Sequence, residues 1–187
     1  MRTGRNNKNG GFSLVELIIV IAIMAIVVTV MGLSVGTLTG RKVAKCADEI
    51  VSTLERARVL TLGKEQNQVE FLLLEDGNGE YHAQIYQGGT KITDRVIGKE
   101  PITIKVHFAK DSDSTSYSLS QLKGTLPYAS TSPGLHLVFN RASGAFEEKT
   151  CAAADVVKDY CDKIVISNGT RTITITTVGK TGKILKN

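Results

Sequence analysis

Apolar and polar positions fall into three regimes along the chain. From Phe12 to Gly40 almost every residue is apolar, and Glu16 is the one charge in that stretch. From Arg41 to Leu62 the apolar residues become periodic: Val43, Ala47, Ile50, Leu54 and Ala57 recur at steps of four, three, four and three. That spacing places them on one face of an α-helix. Lys45, Asp48, Glu49, Glu55, Arg56 and Arg58 take much of the remainder, and Gly63 is a stop signal. Joined together, Phe12–Leu62 reads as a single helix of roughly 75 Å. From Gln68 onward the period drops to two and β-branched residues accumulate.

The third regime breaks into hairpins. Val69–Leu74 and Glu80–Gln87 flank Asp76-Gly77-Asn78-Gly79, a strong turn signal. Ile102–Phe108 alternates. Leu135–Asn140 and Ala145–Glu148 flank Arg141-Ala142-Ser143-Gly144, and Lys163–Ser167 and Arg171–Val178 flank Asn168-Gly169, a type I′ signature. Lys183–Leu185 is a final short strand. The Ser/Thr-rich segment from Ala109 to Gly134 reads as loop with one short strand. The fold class is therefore α+β: a long N-terminal helix packed on an antiparallel sheet.

Glu16 sharpens the reading of the first regime. Leu17–Gly40 is uncharged and longer than the ~20 apolar residues that span a bilayer. A carboxylate at the centre of such a helix costs roughly 2.5–3.5 kcal/mol. A secretory signal peptide has an apolar core of only about 7–15 residues and a small-residue cleavage site. This run is longer and ends in no such site. Basic residues flank it on both sides, Arg2, Arg5 and Lys8 before and Arg41, Lys42 and Lys45 after; the acid-free leader favours a cytoplasmic N-terminus. A plain signal anchor accommodates the length but leaves Glu16 unexplained.

Gly11, then Phe12-Ser13-Leu14-Val15-Glu16, then the long apolar helix resembles the class III signal of type IV pilins and type II secretion pseudopilins. The resemblance implies a leader, residues 1–11, removed after Gly11 by prepilin peptidase. It implies N-methylation of the new terminus at Phe12 and an assembly role for Glu16. The remaining segments are then a transmembrane and assembly helix (12–40), an amphipathic helix (41–63) and a β domain (64–187). The implied partners are the peptidase, other pilin or pseudopilin subunits, an inner-membrane assembly platform and membrane lipid. The implied location is the inner membrane, crossed once, and then an extracytoplasmic pilus or pseudopilus. Leu33 stands where many major pilins carry a helix-bending proline. ERARVLTLGKEQNQVEFLL, LHLVFNRASGAF and ITITTVGKTGKIL resemble GspH/FimT-type minor pseudopilins, which implies a minor or priming subunit.

In physical terms, cleavage at Gly11 creates an amine at Phe12. Glu16 lies one helical turn on, about 6 Å along the axis, at the positive end of the helix dipole. It can meet its own amine or a neighbouring subunit's. The alternative function is a membrane-tethered extracytoplasmic module that binds DNA, polysaccharide or protein and uses the helix only as an anchor.

Composition and charge narrow the field further. The net charge is +5, but Arg2, Arg5 and Lys8 supply three of the 23 basic residues, leaving 20 against 18 acidic ones. That balance describes a solvated surface and not a nucleic-acid footprint. Cys151 and Cys161 bracket a short segment and Cys46 stands apart; a Cys151–Cys161 disulfide and free thiols are both open, and no zinc spacing occurs.

VGKTGK has Thr174 where a phosphate loop needs glycine. Calcium-loop readings from Asp111 or Asp76 meet Ser116 and Leu122, or Tyr81 and Gln87, at the positions that need Gly and Glu. His82, His107 and His136 fall on separate expected strands with no evident carboxylate or nucleophile partner. No enzymatic site, cofactor or metal is expected.

Overall fold

The computed structural model describes residues 12–63, 68–125 and 132–187, with the side chains of residues 30–39 left aside. The leader 1–11, the side chain of Leu33 and the middle of the Ser/Thr-rich segment lie outside the described residues. The chain divides into two units, Met1–Leu38 and Thr39–Asn187, and one helix, α1 (Leu14–Leu62), contributes to both.

In the first unit α1 starts on a serine cap. The Val15 N–H donates to Ser13 Oγ at 3.2 Å, and the Leu17 N–H donates to Ser13 O at 3.1 Å as the first helical bond. Ser13 thereby satisfies one of the orphan donors of the first turn. Every described side chain from Phe12 to Thr29 is exposed. Among the described residues no helix is long and apolar enough to cross a membrane. The apolar side chains described here end at Thr29, so the expected transmembrane span rests in part on residues outside the description.

In the second unit α1 is amphipathic. Val43, Ala47, Ile50, Leu54 and Ala57 are each fully buried, and Cys46 joins them. They meet the inward faces of two sheets. The first has the order β3-β2-β1-β7, where β1 is Val69–Glu75, β2 is Glu80–Gln87, β3 is Thr90–Lys99 and β7 is Leu135–Val138. The second has the order β12-β11-β10-β4-β5, where β4 is Thr103–Phe108, β5 is Tyr117–Ser118, β10 is Cys161–Ser167, β11 is Thr172–Val178 and β12 is Lys183–Lys186. A small third sheet has the order β6-β8-β9, formed by Leu122–Gly124, Cys151–Ala153 and Val156–Val157. All strand pairs are antiparallel. Alternation does the work expected of it: Phe71 and Leu73, Tyr81 and Ala83, Ile104 and Val106, Ile164 and Ile166 all enter one core.

Polar contacts fix the helix to strand edges and turns. Glu49 pairs with Arg95 of β3 at 2.7 Å, and Asp48 with Lys186 of β12 at 2.5 Å. Arg58 donates to Gly144 O at 3.2 Å and Thr181 O at 2.8 Å. Exposed ion pairs of this kind contribute at most about 1 kcal/mol each, so the apolar face dominates.

The strands differ from expectation in several places, among them β8 and β9, which the sequence analysis does not anticipate. Thr90–Lys99 is a full strand, β3, reached through Gly88 and Gly89, both at positive φ as a tight hairpin turn requires. Ala145–Glu148 forms no strand; only Phe139 and Phe146 bridge. The Asn168-Gly169 turn is not type I′. Residues 168–171 form the loop, Gly169 alone takes positive φ, and Asn168 Oδ1 accepts from the Thr170 and Arg171 N–H groups. The described part of the Ser/Thr-rich segment carries two short strands, β5 and β6, joined by a 3₁₀ turn.

Leu54 is enclosed on the helix's buried face, and its truncation leaves a cavity. Leu54→Ala is expected to lower stability by about 2–5 kcal/mol, measured by urea unfolding of the full chain in detergent; Val59→Ala, on the exposed face, is expected to change it by less than about 0.5 kcal/mol.

Candidate functional site

The beginning of α1 holds the residues that the sequence singles out. Phe12 precedes the helix and is 86% exposed, and Glu16 is the acidic residue of the first turn. Ser13 and Glu16 have the S-x-x-E spacing of a capping box, a signal that the apolar context of the run conceals. The Ser13 hydroxyl caps the Val15 N–H, one residue short of the Glu16 N–H that a capping box uses. Glu16 thus has a local reason to sit where it does: carboxylates are favoured in the first turn, where unpaired N–H groups carry partial positive charge. Gly11, the residue on the other side of the expected cleavage point, lies outside the described residues.

Around Glu16 the helix surface is apolar on every side. Leu14, Val15, Leu17, Ile18, Ile19 and Val20 are consecutive except at Glu16 itself, and each is at least half exposed. Successive helical residues step around the axis by about 100°. A helix that is apolar all round belongs in an apolar surrounding, either lipid or other helices.

The three histidines do not all lack partners. His136 Nδ1 lies in hydrogen-bond contact with Glu70 Oε1, and its Nε2 donates to Ser132 O at 3.2 Å. Both side chains are buried, and the second carboxylate oxygen, Glu70 Oε2, has no partner. Pairing of β1 with β7 brings the two together across 66 residues of sequence. His82 Nδ1 is 2.9 Å from Asp94 Oδ1, and its Nε2 is 3.8 Å from Asp76 Oδ2. His107 stands opposite Lys163 in the β4–β10 ladder.

Cys151 lies beside His136, yet not in the geometry of an activated thiol. Its Sγ accepts from the His136 backbone N–H at 3.0 Å and donates to the His136 carbonyl at 3.2 Å; these contacts are to the main chain and not to the ring. Burial pushes its pKa up to about 12, against the smaller opposing effect of the His136 hydrogen bond. Burial does the same to Cys46, also to about 12, and raises Cys161 well above the ordinary value. A thiol held this way is a small apolar side chain and not a nucleophile. All three cysteines are free and buried, so the structure contains no Cys151–Cys161 bridge.

The remaining motifs resolve into structure. Gly179–Gly182 turns the chain between β11 and β12, with the Thr181 and Gly182 N–H groups donating to Val178 O. Asp111 pairs with Lys158 and Asp113 with Lys163, each at 3.2 Å.

Residues 6–32 match the family model described as the prokaryotic N-terminal methylation motif. The match covers Gly11, Phe12 and Glu16 together with most of the apolar run. That motif fits a type IV pilin or pseudopilin precursor, and it implies processing by prepilin peptidase and assembly with other pilin subunits. No curated protein and no solved structure matches the chain.

His136→Ala leaves Glu70 buried without its hydrogen-bond partner, and is expected to destabilise the fold by about 3–5 kcal/mol. The double change Glu70→Leu, His136→Leu is expected to cost much less, as read by a double-mutant cycle in urea. The thiols are expected to resist a disulfide-exchange reagent at pH 8 in the native protein. In denaturant all three should react; a single reactive thiol there would instead reveal a bridge between Cys151 and Cys161.

Proposed function

We propose that the chain is the precursor of a structural subunit, minor or priming, of a type IV pilus or type II secretion pseudopilus. The observation that carries this reading is the methylation-motif match at residues 6–32 on a helix whose first turn holds Glu16 amid exposed apolar side chains. Prepilin peptidase cuts after Gly11, Phe12 becomes the methylated N-terminus, and residues 12–40 hold the subunit in the inner membrane before it enters the filament. The β domain is extracytoplasmic and displayed on the filament. The GspH/FimT-like segments support a minor subunit over a major one.

The chemistry is one of helix packing. In lipid, apolar side chains hold helices together only by van der Waals packing, because the surrounding tails are equally apolar. A carboxylate in that setting has few favourable partners, and an amine freed by cleavage is one of them. Glu16 of an incoming subunit then meets the Phe12 amine of a neighbour at one stagger only. The pair selects the register, and apolar contact supplies the affinity.

Protein isolated from cells that also make prepilin peptidase is expected to begin at Phe12, and mass spectrometry should find that residue methylated. A start at Met1 under those conditions overturns the precursor reading and favours the tethered binding module. Glu16→Ala is expected to enter the membrane normally while its incorporation into filaments falls by at least about tenfold. Undiminished incorporation would remove the register role.

A further inference from the structure

We propose a divalent-cation site at the tip of the β1–β2 hairpin, formed by Asp76, Glu80 and His82 and suited to a transition ion of the zinc class. One donor atom from each of these residues lies within 4.8 Å of the others. Glu80 and His82 are two apart on β2 and so project from the same face. The turn returns Asp76 to that face: its Oδ1 accepts from the Asn78 N–H at 2.9 Å and the Glu80 N–H at 2.8 Å. Oδ2 is the oxygen that faces the histidine.

The imidazole makes this more than a group of acids. Asp94 Oδ1 contacts His82 Nδ1 at 2.9 Å, while Asp94 Oδ2 accepts from Lys91 at 2.6 Å and Gln84 at 3.0 Å. With two donors already on its other oxygen, Asp94 faces Nδ1 as a hydrogen-bond acceptor, and Nδ1 is the ring nitrogen that donates. Nε2 is left to point its lone pair into the cluster, oriented by a carboxylate behind the ring. That carboxylate–histidine arrangement is the one that metal-binding histidines use.

Distance separates a cation from a hydrogen bond here. Nε2 and Asp76 Oδ2 are 3.8 Å apart, too far for a hydrogen bond. Two ligands each about 2.1 Å from one ion lie about 3.0–4.2 Å apart, depending on the angle between them. Two carboxylates also match the charge of a divalent ion. Calcium prefers six to eight oxygen ligands, whereas a nitrogen among carboxylates favours zinc and its neighbours. Side-chain exposures of 18% for His82 and 27% for Asp76 leave the site sheltered yet open to entry. A bound ion would tie the turn to β2 at a point where hydrogen bonds alone now hold it. The competing arrangement is a proton on Nε2, which makes a simple His82–Asp76 ion pair and binds no metal.

The test is titration of the full chain in detergent with zinc chloride, followed by calorimetry, with calcium and magnesium chlorides run in parallel. One zinc per chain is expected. Glu80→Gln and His82→Gln should each weaken it by at least about tenfold, and Asp94→Asn, a positioning residue, by about 10–100-fold. Glu80 has no side-chain hydrogen bond to lose in the turn, and circular dichroism should show the E80Q protein folded. Cobalt in place of zinc should give a visible spectrum of mixed nitrogen and oxygen ligation, lost in His82→Gln. The proposal is overturned by no saturable zinc binding up to about 1 mM, by zinc affinity unchanged in both E80Q and H82Q, or by calcium binding more tightly than zinc.

Discussion

One carboxylate on an apolar helix sets the terms for this chain. α1 is apolar on all sides through its described N-terminal stretch and on one side only from Val43 onward. The two surfaces need different surroundings. The amphipathic part finds its partner within the same chain, in the β-sheet core. The apolar part has no such partner among the described residues, and in the proposed filament Glu16 would make that surface selective. Without that residue, packing of such helices in the proposed filament would rest on van der Waals contact alone. With it, only arrangements that bring a cation to the carboxylate avoid leaving it unpaired.

The same logic recurs inside the β domain in a different form. Glu70 and His136 are buried in the β1–β7 pair, where either alone would be strongly unfavourable. Their mutual contact makes the native pairing of these strands the arrangement that spares both. The pair need not add net stability over an apolar substitute. Its physical effect is a penalty on any register that separates its members, since a shift of one residue moves every side chain to the opposite face. Register in the sheet rests on a polar pair placed where it cannot be ignored, and in the proposed filament Glu16 would play the same part.

How much of this was legible in the sequence depended on how local each signal was. The helix face Val43, Ala47, Ile50, Leu54 and Ala57 could be read directly, because a 3.6-residue period is written in consecutive turns. The hairpin through Asp76–Gly79 was equally plain. β3 escaped because it is an edge strand, exposed on both faces over most of its length, with no apolar alternation to betray it; Gly88-Gly89 was its one signal. Ala145–Glu148 looked like a strand because Phe146 is apolar and buried, but a single bridge satisfies it. At Asn168 the side chain took over the turn's hydrogen bonds, which a dipeptide signature does not register. Gly11, Phe12 and Glu16 were legible as a contiguous motif. The partners of His82 and His136 were not, since strand pairing alone brings Asp94 and Glu70 beside them.

The central claim is a contact between subunits, and it can be measured in the assembled state. Filaments would be built from two populations of the subunit, one labelled with ¹⁵N at the Phe12 amine and the other with ¹³C at the Glu16 carboxyl. Solid-state NMR recoupling between the labels then reports only neighbours. The account predicts coupling that corresponds to an ion-pair contact within about 4 Å. Filaments that show no such coupling would contradict it.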